Sequence, residues 1–196
     1  MKYGISMEMV DLYRQEPNRN RRECKYFWDE LFELVSAAGF KGIELPYELK
    51  WDFGGRSGIP FTRRAINIKY AGVKEFLEVL RNKGISCIAG VHFDPTLFAG
   101  DNQDVYFGAF EHFASEALGF AIEAECETLT LTPTPPMYLI GKMCTDESSF
   151  LKRTAELINR LADTAKKGGV KLCVKNEYWS LLRGEGIKDF MSQLAD

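Results

Sequence analysis

Two rhythms of hydrophobic and polar positions run along this chain. Thr128-Leu-Thr-Leu-Thr132 changes character at every residue, and in 170–177 Leu172 and Val174 alternate with Lys171, Cys173 and Lys175. Period two is the mark of a strand buried on one face. Elsewhere the period is helical. Phe27, Leu31, Leu34 and Val35 define a helix over 22–38; Val73, Phe76, Leu77 and Leu80 define one over 67–83. A long Phe- and Ala-rich helix is predicted over 104–124. A fourth, over 146–167, is carried by Phe150, Leu151, Leu157, Ile158, Leu161 and Ala165. Gly39 and Gly84 stand where helix C-terminal glycines belong. Strands are predicted over 2–7, 42–45, 85–92, 127–132 and 170–177, and a last helix over 186–195. Pro46, Pro95 and the group Pro133, Pro135 and Pro136 follow strands and stop them. Residues 47–64 read as a long loop, and 11–20 as a polar one. The cluster Arg14, Arg19, Arg21 and Arg22 reads as a solvated helix start more readily than as a phosphate site.

The strands begin roughly 40 residues apart, the length of a strand-helix repeat that builds a parallel sheet. No domain boundary interrupts the series, so 1–196 is expected to be a single domain. The first strand lacks the Gly-rich phosphate loop of a doubly wound sheet. A (β/α)8 barrel fits better, but eight units take ~250 residues, and this chain holds about five. The fold class expected is therefore α/β, an incomplete barrel of (β/α)8 type. Five open units leave strand edges exposed, so the expectation is either a chain that continues past Asp196 or association into a homo-oligomer through those edges.

Strand parity locates candidate chemistry, because alternate residues of a barrel strand face the lumen and the rest face the helices. With Glu177 inside, Lys175 follows it. With His92 inside, Gly90, Ile88 and Ser86 follow. Thr128, Thr130 and Thr132 share one face of their strand, and Gly42 and Glu44 one face of theirs. The expected lumen is small-sided and polar, suited to a hydroxyl-rich ligand, although polar residues can also fill a bottom layer. Glu177 draws attention because parallel α/β folds place their chemistry at the carboxyl ends of strands.

Composition narrows the field. The 196 residues are 45% hydrophobic and 27% charged, with a formal net charge of -3, which gives no general affinity for nucleic acid or an anionic membrane. No apolar run approaches the ~20 residues of a membrane helix, and no signal-peptide pattern opens the chain. The five cysteines form no CxxC pair, which argues against a zinc ribbon and for reduced thiols in a cytoplasm.

The segments Met1-Lys-Tyr-Gly-Ile-Ser, Ala38-Gly-Phe-Lys-Gly-Ile-Glu-Leu45, Lys83-Gly-Ile-Ser and Lys167-Gly-Gly-Val-Lys-Leu-Cys-Val-Lys-Asn-Glu177 together resemble the xylose isomerase-like barrel superfamily, which includes the sugar phosphate isomerases and epimerases. The resemblance runs the length of the chain in order. It implies isomerisation or epimerisation of a sugar or polyol by proton transfer next to a carbonyl, assisted by a divalent metal (Mn, Co, Mg or Zn). It implies that Glu177 is a metal ligand and acid/base. It also implies that His92 approaches the substrate, while Glu44 matches a glutamate that is more often structural. The other metal ligands of the family would lie beyond Asp196. Trp51, Phe53 and Trp179 are candidates for an apolar wall against the sugar, each with an equally weighted packing alternative. A polyol-binding module without catalysis, and an inositol-derivative dehydratase using the same site, remain alternatives. His112 falls in a predicted helix and reads as a surface or packing residue, so the multi-histidine zinc site of the related endonucleases is not matched.

Overall fold

The computed structural model describes residues 3–7, 28–51 and 58–195. Among them the order is β1 (Gly4–Ser6), α1 (Trp28–Ala37), β2 (Gly42–Pro46), β3 (Leu49–Trp51), β4 (Gly58–Pro60), α2 (Phe61–Tyr70), α3 (Val73–Asn82), β5 (Cys87–Phe93), a 3-10 turn (Pro95–Phe98), α4 (Gln103–Glu123), β6 (Thr128–Leu131), α5 (Met137–Met143), α6 (Glu147–Lys167), β7 (Lys171–Val174) and α7 (Gly186–Met191). Five parallel strands form one sheet in the order β1-β2-β5-β6-β7. The five predicted strands are all present, and helices follow them as the repeat demands. The chain clusters into two compact units, residues 1–92 with 123–128, and residues 93–122 with 129–196.

In the first unit β1 and β2 pair parallel, with Ile5 opposite Ile43 and Ser6 opposite Glu44. The core is aliphatic and aromatic: Trp28, Phe32, Tyr70 and Phe76 form a cluster in which Trp28 stacks on Tyr70 at 5.4 Å between ring centroids. Rings of this size dominate core energetics, at roughly 1.5–3 kcal/mol for a fully buried Phe. Gly39 and Gly84 take positive φ, 87° and 84°, as helix-ending glycines do. The helix expected over 67–83 is instead two helices. Ala71 at φ 53° and Gly72 at φ 145° break it, a backbone path that α-helix excludes, even though the apolar spacing runs on across the break. The loop expected over 47–64 contains the antiparallel pair β3–β4, Leu49 opposite Pro60 and Trp51 opposite Gly58, and the first turn of α2. Trp51 thus lies on a strand. Phe53 and the arginines of the 11–22 region lie outside the described residues.

In the second unit α4 and α6 are joined by aromatic packing and rim ion pairs. Phe107 and Phe150 lie 4.8 Å apart and Tyr106 and Phe150 5.7 Å. Arg153 covers the Phe107 ring at 4.5 Å and reaches Asp104 at 2.6 Å, while Arg160 reaches Glu111 at 2.7 Å. The Asp146 carboxylate caps α6, accepting from the amides of Ser148 and Ser149 and from the Ser149 hydroxyl. This satisfies donors that every helix start leaves open. The last strand stops at Val174 rather than running to Glu177, and α7 ends at Met191 rather than at 195. The helix α5, after the three prolines, was not legible in the periodicity. No helix among the described residues is long and apolar enough to cross a membrane.

Candidate functional site

The polar residues singled out by strand parity divide between the two units. In the first unit the β2–β5 ladder sets Glu44 opposite Gly90 and Pro46 opposite His92. A register shift at Ile43/Glu44 changes the phase of β5. Ile88 therefore pairs with Ile43, and both are buried at 1% exposure or less. This corrects the parity expectation for Ile88: an extra residue in β5 turns the lower half of the strand over, and of Ser86, Ile88, Gly90 and His92 the last two share the face of Glu44.

Gly90 is needed there for space. A Cβ at this position would stand 2.6 Å from Thr128 Oγ1 and 3.6 Å from both Cγ and Oε1 of Glu44. The missing side chain is what allows the Glu44 and Thr128 side chains to lie across β5, and the Thr128 hydroxyl donates to the Ala89 carbonyl at 3.1 Å. His92 is 6% exposed. Its carbonyl accepts from the Tyr47 amide at 2.7 Å. The Thr62 hydroxyl donates to the Pro46 carbonyl at 2.9 Å and accepts from the Glu48 amide at 2.8 Å. The carboxyl end of β2 is thereby stapled to the start of α2, and the backbone on either side of Tyr47, the residue bonded to His92, is held.

β6 keeps its alternation. Leu129 and Leu131 are fully buried, while Thr128 and Thr130 are half-buried on the other face. The Thr132 amide donates to the Phe93 carbonyl at 3.0 Å and the Lys175 amide to the Leu131 carbonyl at 2.8 Å. In a parallel ladder those two bonds place Asp94, Thr132 and Lys175 level with one another. Thr132 and Thr134 are buried hydroxyl residues. The segment between them is anchored by Tyr106, whose hydroxyl donates to the Pro133 carbonyl at 3.0 Å. Complete burial, with the Asp94 charge nearby, raises the Tyr106 pKa well above its ordinary value, so this phenol is a structural donor. The Asp94 carboxylate caps the 3-10 turn through the Thr96 amide at 2.8 Å.

Glu177 lies three residues beyond β7. Its Oε1 is 3.1 Å from the Lys175 ammonium, and its side chain is 14% exposed against 35% for Lys175. Its carbonyl accepts from the amide and the hydroxyl of Ser180, which fixes the turn that carries it. Trp179 follows, half-exposed. Its carbonyl accepts from the Met137 amide at 2.9 Å, at the first residue of α5. Tyr178 packs edge-on against Trp179 at 4.4 Å. Tyr178 and Tyr138 are largely exposed, so three aromatic side chains on linked segments present surface at this end of the unit.

Strand parity puts Lys175 on the inward face without giving it a role, and no spacing in the sequence marks Thr134, Tyr138 or Tyr178. Runs such as Thr-Pro-Thr-Pro-Pro do signal a constrained strand end, but not burial of the hydroxyls. His112 is exposed on α4, 4.0 Å from Glu116, as expected for a helix-surface residue. Among the described residues no group of three or more His, Cys, Asp or Glu could hold a metal ion. The residues described here thus do not by themselves fit the metal that the resemblance implies: Glu177 is the one member of the expected ligand set, and its nearest charged partner is an ammonium. Two clefts in this unit lie away from Glu177: an apolar one of about 620 Å3 between α6, β7 and α7, and a smaller one where α5 meets α6.

Neither a family model nor a curated protein matches the sequence. Solved structures do match the fold. A D-psicose 3-epimerase crystallised in the presence of D-fructose superposes with a TM-score of 0.62 at 18% identity, over 98% of this chain and 60% of that one. The D-psicose 3-epimerase of Clostridium cellulolyticum H10, solved with D-tagatose, gives 0.62 at 16% identity with the same coverage. A sugar phosphate isomerase/epimerase from Parabacteroides distasonis ATCC 8503 gives 0.57 at 14% identity, over 99% of this chain and 62% of that one. The chain thus spans about three-fifths of the length of these proteins. In fold it is an α/β chain with a five-strand parallel sheet, corresponding to part of a (β/α)8 barrel.

Proposed function

We propose that the intact protein is an isomerase or epimerase of a sugar or sugar phosphate, acting by proton transfer at a carbon next to a carbonyl. The observation that supports this most is the shielded carboxylate of Glu177, held by a fixed turn just past the carboxyl end of β7 with an ammonium 3.1 Å away. A carboxylate so placed serves as the base that accepts the carbon-bound proton, and as the acid that returns it. The row of Thr132 and Thr134 supplies hydroxyls for a polyol, and Trp179 with Tyr178 and Tyr138 supplies apolar surface for its carbon-hydrogen face. The resemblance also gives His92 a place near the substrate and Glu44 a structural one, which its fit over Gly90 supports. The divalent metal of the resemblance would need ligands besides Glu177, and no step here is routed through it.

The fold of sugar epimerases carries part of this reading, since the neighbours include D-psicose 3-epimerase and L-ribulose 3-epimerase. The experiment is a panel of ketohexoses, ketopentoses and their phosphates, incubated with the full chain in heavy water and followed by proton NMR. Exchange of the proton next to the carbonyl, with appearance of a second sugar, is the expected result. Binding without exchange would instead identify a polyol-binding module, and loss of water from a cyclic polyol a dehydratase.

A further inference from the structure

The polar end of the second unit holds a cation as well as a carboxylate, and proton transfer needs both. Lys175 is the first residue after β7, and its amide is fixed to the Leu131 carbonyl at 2.8 Å. The ladder sets it level with Thr132, and its ammonium is 3.1 Å from Glu177 Oε1. The Lys175 side chain is the more exposed of the pair, at 35% against 14%. An ammonium carries three N–H donors, so one that touches the base can also reach an oxygen of a molecule placed against that base. When the base removes a proton from the carbon next to a carbonyl, the C–H electron pair becomes a carbon-carbon double bond. The carbonyl π pair moves onto its oxygen. That oxygen becomes the site of new negative charge, and a donor fixed beside it lowers the barrier.

We propose that Lys175 is that donor: its ammonium binds the substrate oxygen on which charge develops while Glu177 takes the proton. On return of the proton to carbon, the charge leaves the oxygen and the Lys175–Glu177 pair is restored. This rests on the isomerase/epimerase reading above.

The test compares the full chain with Lys175→Met, Lys175→Gln, Lys175→Arg and Glu177→Gln, each checked for folding by circular dichroism. Carbon-proton exchange in heavy water is measured across substrate concentration. Expected is a loss in kcat on the order of 10²-fold or more for the two neutral variants, the scale of removing one fixed oxyanion donor. KM should stay within about threefold, and Lys175→Arg should recover part of the loss because it keeps the charge. Both neutral variants exchanging within about threefold of the unsubstituted chain would overturn the role of Lys175 while leaving the base assignment intact. Failure of the reading beneath it looks different: either Glu177→Gln exchanges as fast as the unsubstituted chain, or the unsubstituted chain binds sugars and exchanges none of them. Those results overturn both.

Discussion

The Lys175 ammonium and the Glu177 carboxylate stand 3.1 Å apart at the end of β7, the carboxylate the better shielded of the two. Ion pairs at full exposure contribute little, and this one is only partly screened. Its value lies in placement, since each partner is fixed by its own backbone: Lys175 through Leu131, and Glu177 through Ser180.

Gly90→Ala is expected to disturb the first unit. The new Cβ would meet Thr128 Oγ1 at 2.6 Å and crowd the Glu44 side chain. Overpacking of this kind costs about 1–3 kcal/mol. Urea unfolding of the variant should show a lowered midpoint, and pairing the change with Thr128→Ala should recover part of the loss.

The two histidines should respond differently to a bound sugar. His92 is buried on the face shared by Glu44 and Gly90, while His112 is exposed on α4 beside Glu116. Titration of the intact protein with a ketose should move the imidazole resonances of His92 and leave those of His112 in place. Movement of His112 alone would contradict the assignment of the polar face.

Much of this architecture was legible in the sequence, because burial writes itself into alternation. The Thr and Leu positions of β6 separate by face as their spacing implies. The glycines that end α1 and α3 take the positive φ their positions predict. Besides α5, three features were not legible. The phase change in β5 lies in a run of small and apolar residues, Cys87-Ile-Ala-Gly-Val, with no alternation to reveal it. The break at Ala71 and Gly72 interrupts a helix whose apolar spacing continues on both sides. The pairing of β3 with β4 is a contact between short segments that no periodicity marks. In the site, Glu177 could be singled out by its place after a strand, whereas the pairing with Lys175 depends on a turn that spacing alone does not reveal.

Cys126 gives a pH signature. Burial, with a smaller contribution from Cys87, pushes its thiol from 9.0 up to about 12. The fold favours the protonated form, so this contribution to stability is fully present below about pH 9 and is lost as pH rises toward 12. Thermal unfolding should show it, as a decline over that window that is reduced in Cys126→Ala. Thiol labelling at pH 8 should reach the half-buried Cys87, Cys144 and Cys173 ahead of Cys126.

Asp146 supplies the opposite sign. Hydrogen bonds from the Ser149 hydroxyl, the Ser149 amide and the Ser148 amide outweigh the smaller opposing effect of burial and hold its pKa below 3.8. The stabilisation it gives α6 is present above that ordinary value and is lost as pH falls through the lowered one. Asp146→Ala should lower the melting temperature at neutral pH, and Asp146→Asn, which can still cap, should lower it less. Equal melting temperatures for all three would contradict the role of the cap.

Glu177 as the base at a sugar carbon is tested by exchange of that carbon's proton with heavy water, in the intact protein and in Glu177→Gln. The substitution keeps the shape and removes the base. Expected is exchange by the intact protein and a loss on the order of 10²-fold or more in the variant, with sugar affinity nearly retained. Exchange at an unchanged rate in Glu177→Gln would contradict it.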